Sequence, residues 1–235
     1  MTGTTQKVGT IIFDLDGTLV DSVPDLAGSL DTLMAEMGLA PIGVDLARRL
    51  IGHGIPNLVR RALTERGVEW EEEAGKAAIQ RFTEIYGSRV AQETRPYADV
   101  VEVLTTLKAE GWKMGVCTNK MERFARAVVD DLDLASFFDI VAGPDTFKVG
   151  KPDPRHLTET VKAAGGAEPV LYVGDSEVDI ATGVAAEIPV IALTYGYTKT
   201  SLEGLGADRL IDSFAELPDA IHSVLVARAP VAAAS

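Results

Sequence analysis

Two aspartates stand one residue apart directly after an apolar run, in Asp14-Leu15-Asp16-Gly17-Thr18-Leu19. Three more groups follow the same rule. Thr118-Asn119 closes the run Met114 to Cys117, Lys151 sits in the proline-framed Lys-Pro-Asp-Pro downstream of Ile140 to Ala142, and Gly174-Asp175-Ser176-Glu177-Val178-Asp179 follows Val170 to Val173. Carboxylates, a hydroxyl and an ammonium brought to one edge suit phosphoryl transfer, which is mostly positioning and charge neutralisation. Mg²⁺ binds through a few carboxylates, waters and a substrate phosphate, and Asp14 and Asp175 supply such carboxylates. Asp179, one helical turn beyond Asp175, is placed to orient waters rather than bind the ion. Asp14 is the candidate nucleophile, because a carboxylate that accepts phosphorus splits one hard displacement into two easier ones. Asp16 is the candidate acid and base, protonating the leaving alkoxide and then activating water. Thr118 and nearby backbone N–H groups can hold phosphate oxygens, Asn119 is a candidate substrate contact, and Lys151 offsets the repulsion between anions. Lys148 is a rival for that last role.

The elements that must position these groups are short and apolar. The four runs above, with Val8 to Phe13 as the first, and a fifth at Val190 to Leu193, are hydrophobic almost throughout, as strands buried on both faces of a parallel sheet are. Helical patterns at Glu122 to Asp130, Pro154 to Ala164 and Glu177 to Ala186 alternate with the last four. The fold class is therefore α/β, a Rossmann-like doubly wound parallel sheet, whose ligands sit beyond the carboxyl ends of the strands. The gap between the first two strands is too long for one crossover helix. It carries only helical stripes, among them Leu26, Leu30, Leu33, Met34 and Met37 between a Ser22 cap with Pro24 and a terminating Gly38. The spacing predicts an all-helical cap over residues 21–92 inserted in a core made of 1–20 and 93–235, with hinges near 20–23 and 90–95.

Asp-Leu-Asp-Gly-Thr-Leu, a strand-end Thr-Asn, Lys-Pro-x-Pro and Gly-Asp-x-x-x-Asp, in this order between residues 14 and 179, resemble the haloacid dehalogenase superfamily. The resemblance implies a Mg²⁺-dependent phosphatase working through an aspartyl-phosphate, with the main-chain carbonyl of Asp16 as a third metal ligand beside Asp14 and Asp175. The segment Arg48-Arg49-Leu50-Ile51-Gly52-His53-Gly54, followed by Leu58-Val59-Arg60-Arg61-Ala62-Leu63, is similar to a subfamily that hydrolyses 2-phosphoglycolate. It makes Gly52, His53, Gly54 and Arg60 candidate substrate contacts. One departure is Pro96-Tyr97-Ala98-Asp99, where that subfamily usually has Pro-Gly in place of Ala98-Asp99. Another metabolite phosphatase, a pyrophosphatase or a phosphomutase would fit the same core. A phosphonate hydrolase needs a cap lysine, and the insert has only Lys76, far from the glycine loop. A dehalogenase lacks the acid that Asp16 provides. A non-catalytic binding module is marked by loss of Asp14, Asp16, Lys151 or Asp175, and all four are present.

Composition sets outer bounds. The chain has 235 residues, 46% apolar and 24% charged, enough for a sizeable core without metal or disulfide. Its 22 basic and 35 acidic residues leave a net charge of −13, which repels nucleic acid and anionic membrane. A phosphate site in such a chain must be made locally positive. The expected partner is a small phosphate ester, handled by a monomer or homodimer. A single cysteine, Cys117, excludes an internal disulfide. A short polar start, Met1 to Lys7, and no apolar run of membrane length read as a cytoplasmic protein, and Ala229 to Ser235 as a frayed tail.

Overall fold

The computed structural model describes residues 9–52, 54–198 and 200–229. The first strand, β1 (Thr10–Phe13), leads through β2 (Val20–Asp21) into four helices, α1 (Val23–Glu36), α2 (Val44–Leu50), α3 (Gly54–Glu65) and α4 (Glu72–Gly87). The chain returns by β3 (Arg95–Pro96) and α5 (Val100–Ala109) to β4 (Lys113–Cys117), α6 (Glu122–Asp131) and β5 (Ile140–Ala142). It then winds through α7 (Pro154–Ala163), β6 (Val170–Gly174), α8 (Glu177–Ala185), β7 (Val190–Leu193), β8 (Arg209–Ile211) and α9 (Leu217–Arg228). His53 and residues 230–235 lie outside the described residues.

Six strands form one parallel sheet in the order β5-β4-β1-β6-β7-β8. The order runs one way from β1 to β4 and β5 and the other way from β1 to β6, β7 and β8. The switch point therefore falls at β1, where such sheets open a crevice for ligand. Burial explains the apolar runs: Ile11, Ile12 and Phe13 are fully inaccessible. Helices α7 and α8 cover one face with Ile12, Leu157, Tyr172 and Val190 between the layers. The other face carries Ile11, Phe13, Leu104, Val128 and Ile221 under α5, α6 and α9. Each such side chain contributes roughly 1.5–3 kcal/mol by leaving water.

The strand β8 has no counterpart in the sequence reading. Arg-Leu-Ile between Asp208 and Asp212 is too short and too charged to register as an apolar run, and it pairs only at the sheet edge, beside β7.

The chain crosses between the sheet and the four helices at β2 and β3, which pair antiparallel with Val20 opposite Pro96 and Asp21 opposite Arg95. Buried Asp25 at the start of α1 reinforces the junction. Its Oδ2 accepts from the backbone N–H of Glu93 and Thr94 and from the Thr94 hydroxyl. Pro24 occupies the first turn of α1, and Gly38, at φ +70, follows its end, where the N–H of Leu39 reaches back to the carbonyl of Met34. Ser22, expected to cap α1, makes no side-chain cap bond. Its hydroxyl is drawn instead to the Asp16 carboxylate, while Asp21 accepts from the N–H of Val23. Asp99, in the segment that departs from the subfamily pattern, takes φ +65, the left-handed region that favours glycine and that Asp tolerates better than most residues.

His156 on α7 is fully buried, and neither ring nitrogen has a partner in hydrogen-bond geometry among the described residues. Burial, reinforced by the Lys151 charge, pushes the ring down to about 4. The unfolded chain then binds a proton that the folded chain refuses between roughly pH 6.5 and 4, so stability is full above this window and falls as pH drops through it. His156→Gln is expected to remove up to about 3 kcal/mol of that pH dependence. Urea unfolding midpoints at pH 7 and pH 4.5 check this, and an unchanged slope against pH contradicts it.

Candidate active site

The carboxyl ends of β1, β4 and β6 bring the expected groups together. Asp14 and Asp16 follow β1, Thr118 and Asn119 follow β4, Asp175 and Asp179 follow β6, and Lys151 enters from the loop ahead of α7. Asp14, Asp16, Thr118, Asn119, Lys151 and Asp175 line one cavity of about 430 Å³, which Gly52, Gly54, Arg49, Arg61 and Tyr86 close from the side of the four helices.

Acidic oxygens of Asp14, Asp175 and Asp179 lie within 4.8 Å of one another, and all three residues are buried. Like charges this close in a dry site must be offset. Lys151 Nζ does part of this, 2.8 Å from Asp14 Oδ1 and 2.6 Å from Asp179 Oδ1. Asp179 is fully engaged. Its Oδ1 also accepts from the Tyr172 hydroxyl, and its Oδ2 from the N–H of Asp175 and from Ser176. Burial pushes the Asp179 carboxyl up, but the Lys151 charge and these bonds outweigh it and hold the group below the usual carboxylate range.

The other two carboxylates are less well compensated. Asp14 Oδ1, though near Lys151, has no partner in hydrogen-bond geometry among the described residues. Burial pushes the Asp14 carboxyl up to about 6 against the opposing Lys151 charge. Asp175 accepts one bond on each oxygen, from Thr18 Oγ1 and from the N–H of Tyr197, both at 2.9 Å. Burial and the charges of Asp179 and Asp14 carry it well above its ordinary value. An under-bonded buried carboxylate beside a second one is a hard, oxygen-only donor set that fits a divalent cation such as Mg²⁺. Two glycines allow the close packing: a Cβ on Gly17, at φ +92, would stand 2.4 Å from Asp175 Oδ2, and one on Gly196 would stand 2.0 Å from it.

Asp16 turns its side chain away from this cluster. Lys120 Nζ lies 2.9 Å from both its oxygens, and Ser22 Oγ donates to Oδ1 at 2.5 Å. Lys120 is buried, and its ammonium lies 5.0 Å from the ring centre of Tyr86 on α4. Burial opposes its charge, but Asp16 and Tyr86 outweigh that and raise its affinity for the proton. The sequence reading stopped at Thr118-Asn119 and missed this lysine. Its one available signal was that Lys120 extends the same strand-end turn by a residue.

Asn119, expected on substrate, lines the cavity, but its amide clasps the Lys151 backbone, accepting from its N–H at 2.9 Å and donating to its carbonyl at 3.0 Å. Gly52 and Gly54 reach the cavity at φ +133 and +76. Arg60 does not reach it: the guanidinium stacks over Trp70, 5.5 Å from the ring centre, and the side chain is exposed. The helical period puts Arg60 and Arg61 about 100° apart on α3, so Arg61 faces the cavity and Arg60 does not; Arg49 joins it from α2. Lys148, the rival of Lys151, has φ +57 and is not among the residues lining the cavity.

A doubly wound sheet with these groups at its switch point is a hydrolase scaffold, and the chain belongs to the haloacid dehalogenase-like hydrolase family, whose model matches residues 11–193. Among its relatives, a phosphoglycolate phosphatase of Caulobacter vibrioides is 40% identical over 217 residues, 92% of each chain. One of Agrobacterium fabrum is 39% identical over 94% of this chain and 96% of its own. A crystal structure of a predicted phosphoglycolate phosphatase from Haemophilus somnus superposes with a TM-score of 0.84 at 30% identity, covering 92% of this chain and 99% of that one.

Among the described residues, Lys151 is the one ammonium shared by Asp14 and Asp179. Lys151→Met is expected to cost about 3–5 kcal/mol of stability in chelator, because it leaves buried charge unpaired. Adding Asp14→Asn to that variant should recover part of the loss. Guanidinium unfolding of the single and double variants measures it, and strictly additive losses contradict the shared-charge account.

Proposed function

We propose that this protein is a Mg²⁺-dependent phosphatase of small phosphomonoesters, with 2-phosphoglycolate as its substrate and glycolate and phosphate as its products. The observation that carries the reading is the pair Asp14 and Asp16 on one cavity wall, the first in the carboxylate cluster and the second held apart from it by Lys120 and Ser22. The separation gives each carboxylate its own task.

Asp14, Asp175 and the main-chain carbonyl of Asp16 are the proposed metal ligands, with Asp179 holding Lys151 and the turn at Ser176 in place. Bound Mg²⁺ supplies positive charge that draws the phosphate in and offsets its repulsion from the nucleophile. An Asp14 oxygen attacks phosphorus and the ester P–O bond breaks. Asp16 delivers a proton to the departing alkoxide, then takes one from the water that attacks the acyl-phosphate. Thr118 and Lys151 steady the phosphate oxygens. Residues 21–92 act as a cap that excludes bulk water from the acyl-phosphate. His53 and the glycines beside it are proposed substrate contacts.

The choice of substrate rests on the named relatives and on charge at the cap end of the cavity. Lys120 and Lys151 are paired with aspartates, whereas Arg49 and Arg61 have no ion pair among the described residues. Arg61 is fixed by donating to the carbonyls of Leu50 and Arg49. Two unpaired guanidinium groups in a chain of net charge −13 favour a second anionic end on the substrate, such as a carboxylate.

Phosphate release from 2-phosphoglycolate and from an aryl phosphate, with and without chelator, tests the reading, and a folded protein with no Mg²⁺-dependent turnover favours a binding module. Asp14→Asn is expected to keep the fold and lose turnover. Substantial residual activity contradicts the covalent route. Arg49→Ala should raise KM for phosphoglycolate about tenfold, the worth of one charge-assisted hydrogen bond, and leave KM for the aryl phosphate nearly unchanged. Equal shifts on both substrates remove Arg49 from recognition.

A further inference from the structure

Tyr197 stands at the end of a loop that leaves β7, yet it touches both the acidic cluster and the crossing into α1. Its backbone N–H donates to Asp175 Oδ2 at 2.9 Å. Its buried hydroxyl accepts from the N–H of Ser22 at 2.8 Å, and can donate to Asp21 Oδ1 at 3.1 Å or to the Val20 carbonyl at 3.4 Å. One oxygen therefore meets three consecutive residues of the crossing. The same Ser22 sends its hydroxyl to Asp16 Oδ1 at 2.5 Å. Asp21 in turn pairs with Arg48 of α2 at 2.9 Å, and the Arg48 guanidinium lies over the Tyr197 ring, 5.4 Å from its centre.

We infer that Tyr197 is a positioning residue, which sets the angle of Asp16 by fixing Ser22 and Asp21 and so joins the posture of the helical insert to the acid–base step. The inference rests on the acid–base role given to Asp16 above. The physical case is one of constraint. The Tyr197 oxygen accepts from the Ser22 N–H at 2.8 Å and lies 3.4 Å from Ser22 Oγ, so it places the backbone that carries the hydroxyl and contacts the hydroxyl itself. Replacement of that oxygen by hydrogen leaves the N–H of Ser22 buried without its acceptor and lets the crossing shift. The ring, the Arg48 contact and the bond from Tyr197 N–H to Asp175 are all kept in Tyr197→Phe, so the metal-side contact stays intact.

The test uses the full chain with Mg²⁺ and 2-phosphoglycolate. Tyr197→Phe is expected to lower kcat about tenfold, with KM and the Mg²⁺ activation constant each within about twofold of wild type. Combining it with Ser22→Ala should cost little more than Ser22→Ala alone, because both act through the same contact to Asp16. A kcat within about twofold of wild type overturns the inference, as do losses that multiply in the double variant. A shifted Mg²⁺ activation constant assigns Tyr197 to Asp175 instead, and a Tm low enough to unfold the variant in the assay assigns it a packing role. Both of those results also overturn it. Wild-type protein with no turnover of any phosphate ester indicts the phosphatase reading and not this one.

Discussion

Repulsion among buried carboxylates organises this molecule. Asp14, Asp175 and Asp179 crowd the end of two adjacent strands, where water cannot screen them. One ammonium, Lys151, lies between two of them, and Asp179 is further quenched by Tyr172 and Ser176. What is left uncompensated is concentrated on Asp14 and Asp175, facing the cavity. The fold thus builds a site with a standing demand for positive charge, and that demand suits a cation and a phosphate arriving together.

A second ion pair does a different job nearby. Lys120 Nζ donates to both carboxylate oxygens of Asp16, and it is itself covered by Tyr86 from the helical insert. The Asp16 side chain therefore belongs electrostatically to Lys120 and not to the carboxylate cluster, although it lies two residues from Asp14. The chain achieves this by ending β1 at Phe13 and turning sharply at Gly17, so that successive carboxylates point to different partners. Carboxylates two residues apart in sequence thus answer to different cations.

The helical insert bears on both halves of this arrangement. It supplies Tyr86 over Lys120, Arg48 over Tyr197, and Gly54 beside the Asn119 carbonyl. Its two connections are short and paired, with Val20 opposite Pro96 and Asp21 opposite Arg95. The next residue, Ser22, is bonded directly to Asp16.

Much of this was legible in the residues alone. The strands announced themselves because both faces of a parallel sheet are dry, so Ile11, Ile12 and Phe13 are all apolar with no alternation. The groups after each strand could be named because a doubly wound sheet sends its strand ends to one edge, and Asp14, Asp16, Thr118, Lys151 and Asp175 do share one cavity. Partnerships were not legible. Lysine is a solvated residue by default, so nothing local distinguished Lys120, which becomes a site residue only because α4 covers it and Asp16 faces it. Arg60 and Arg61 differ by one step in sequence but by a large rotation about α3, and only packing against Trp70 decided which one was withdrawn from the cavity. Tyr197 lies 175 residues from Ser22, and the sheet order alone brings them together. Sequence by itself determined which chemistry the strand ends can carry, since that depends on residue type and hydrophobic period. Tertiary structure decided which charge answers which, because a Coulomb or hydrogen-bond partner is chosen by distance in space.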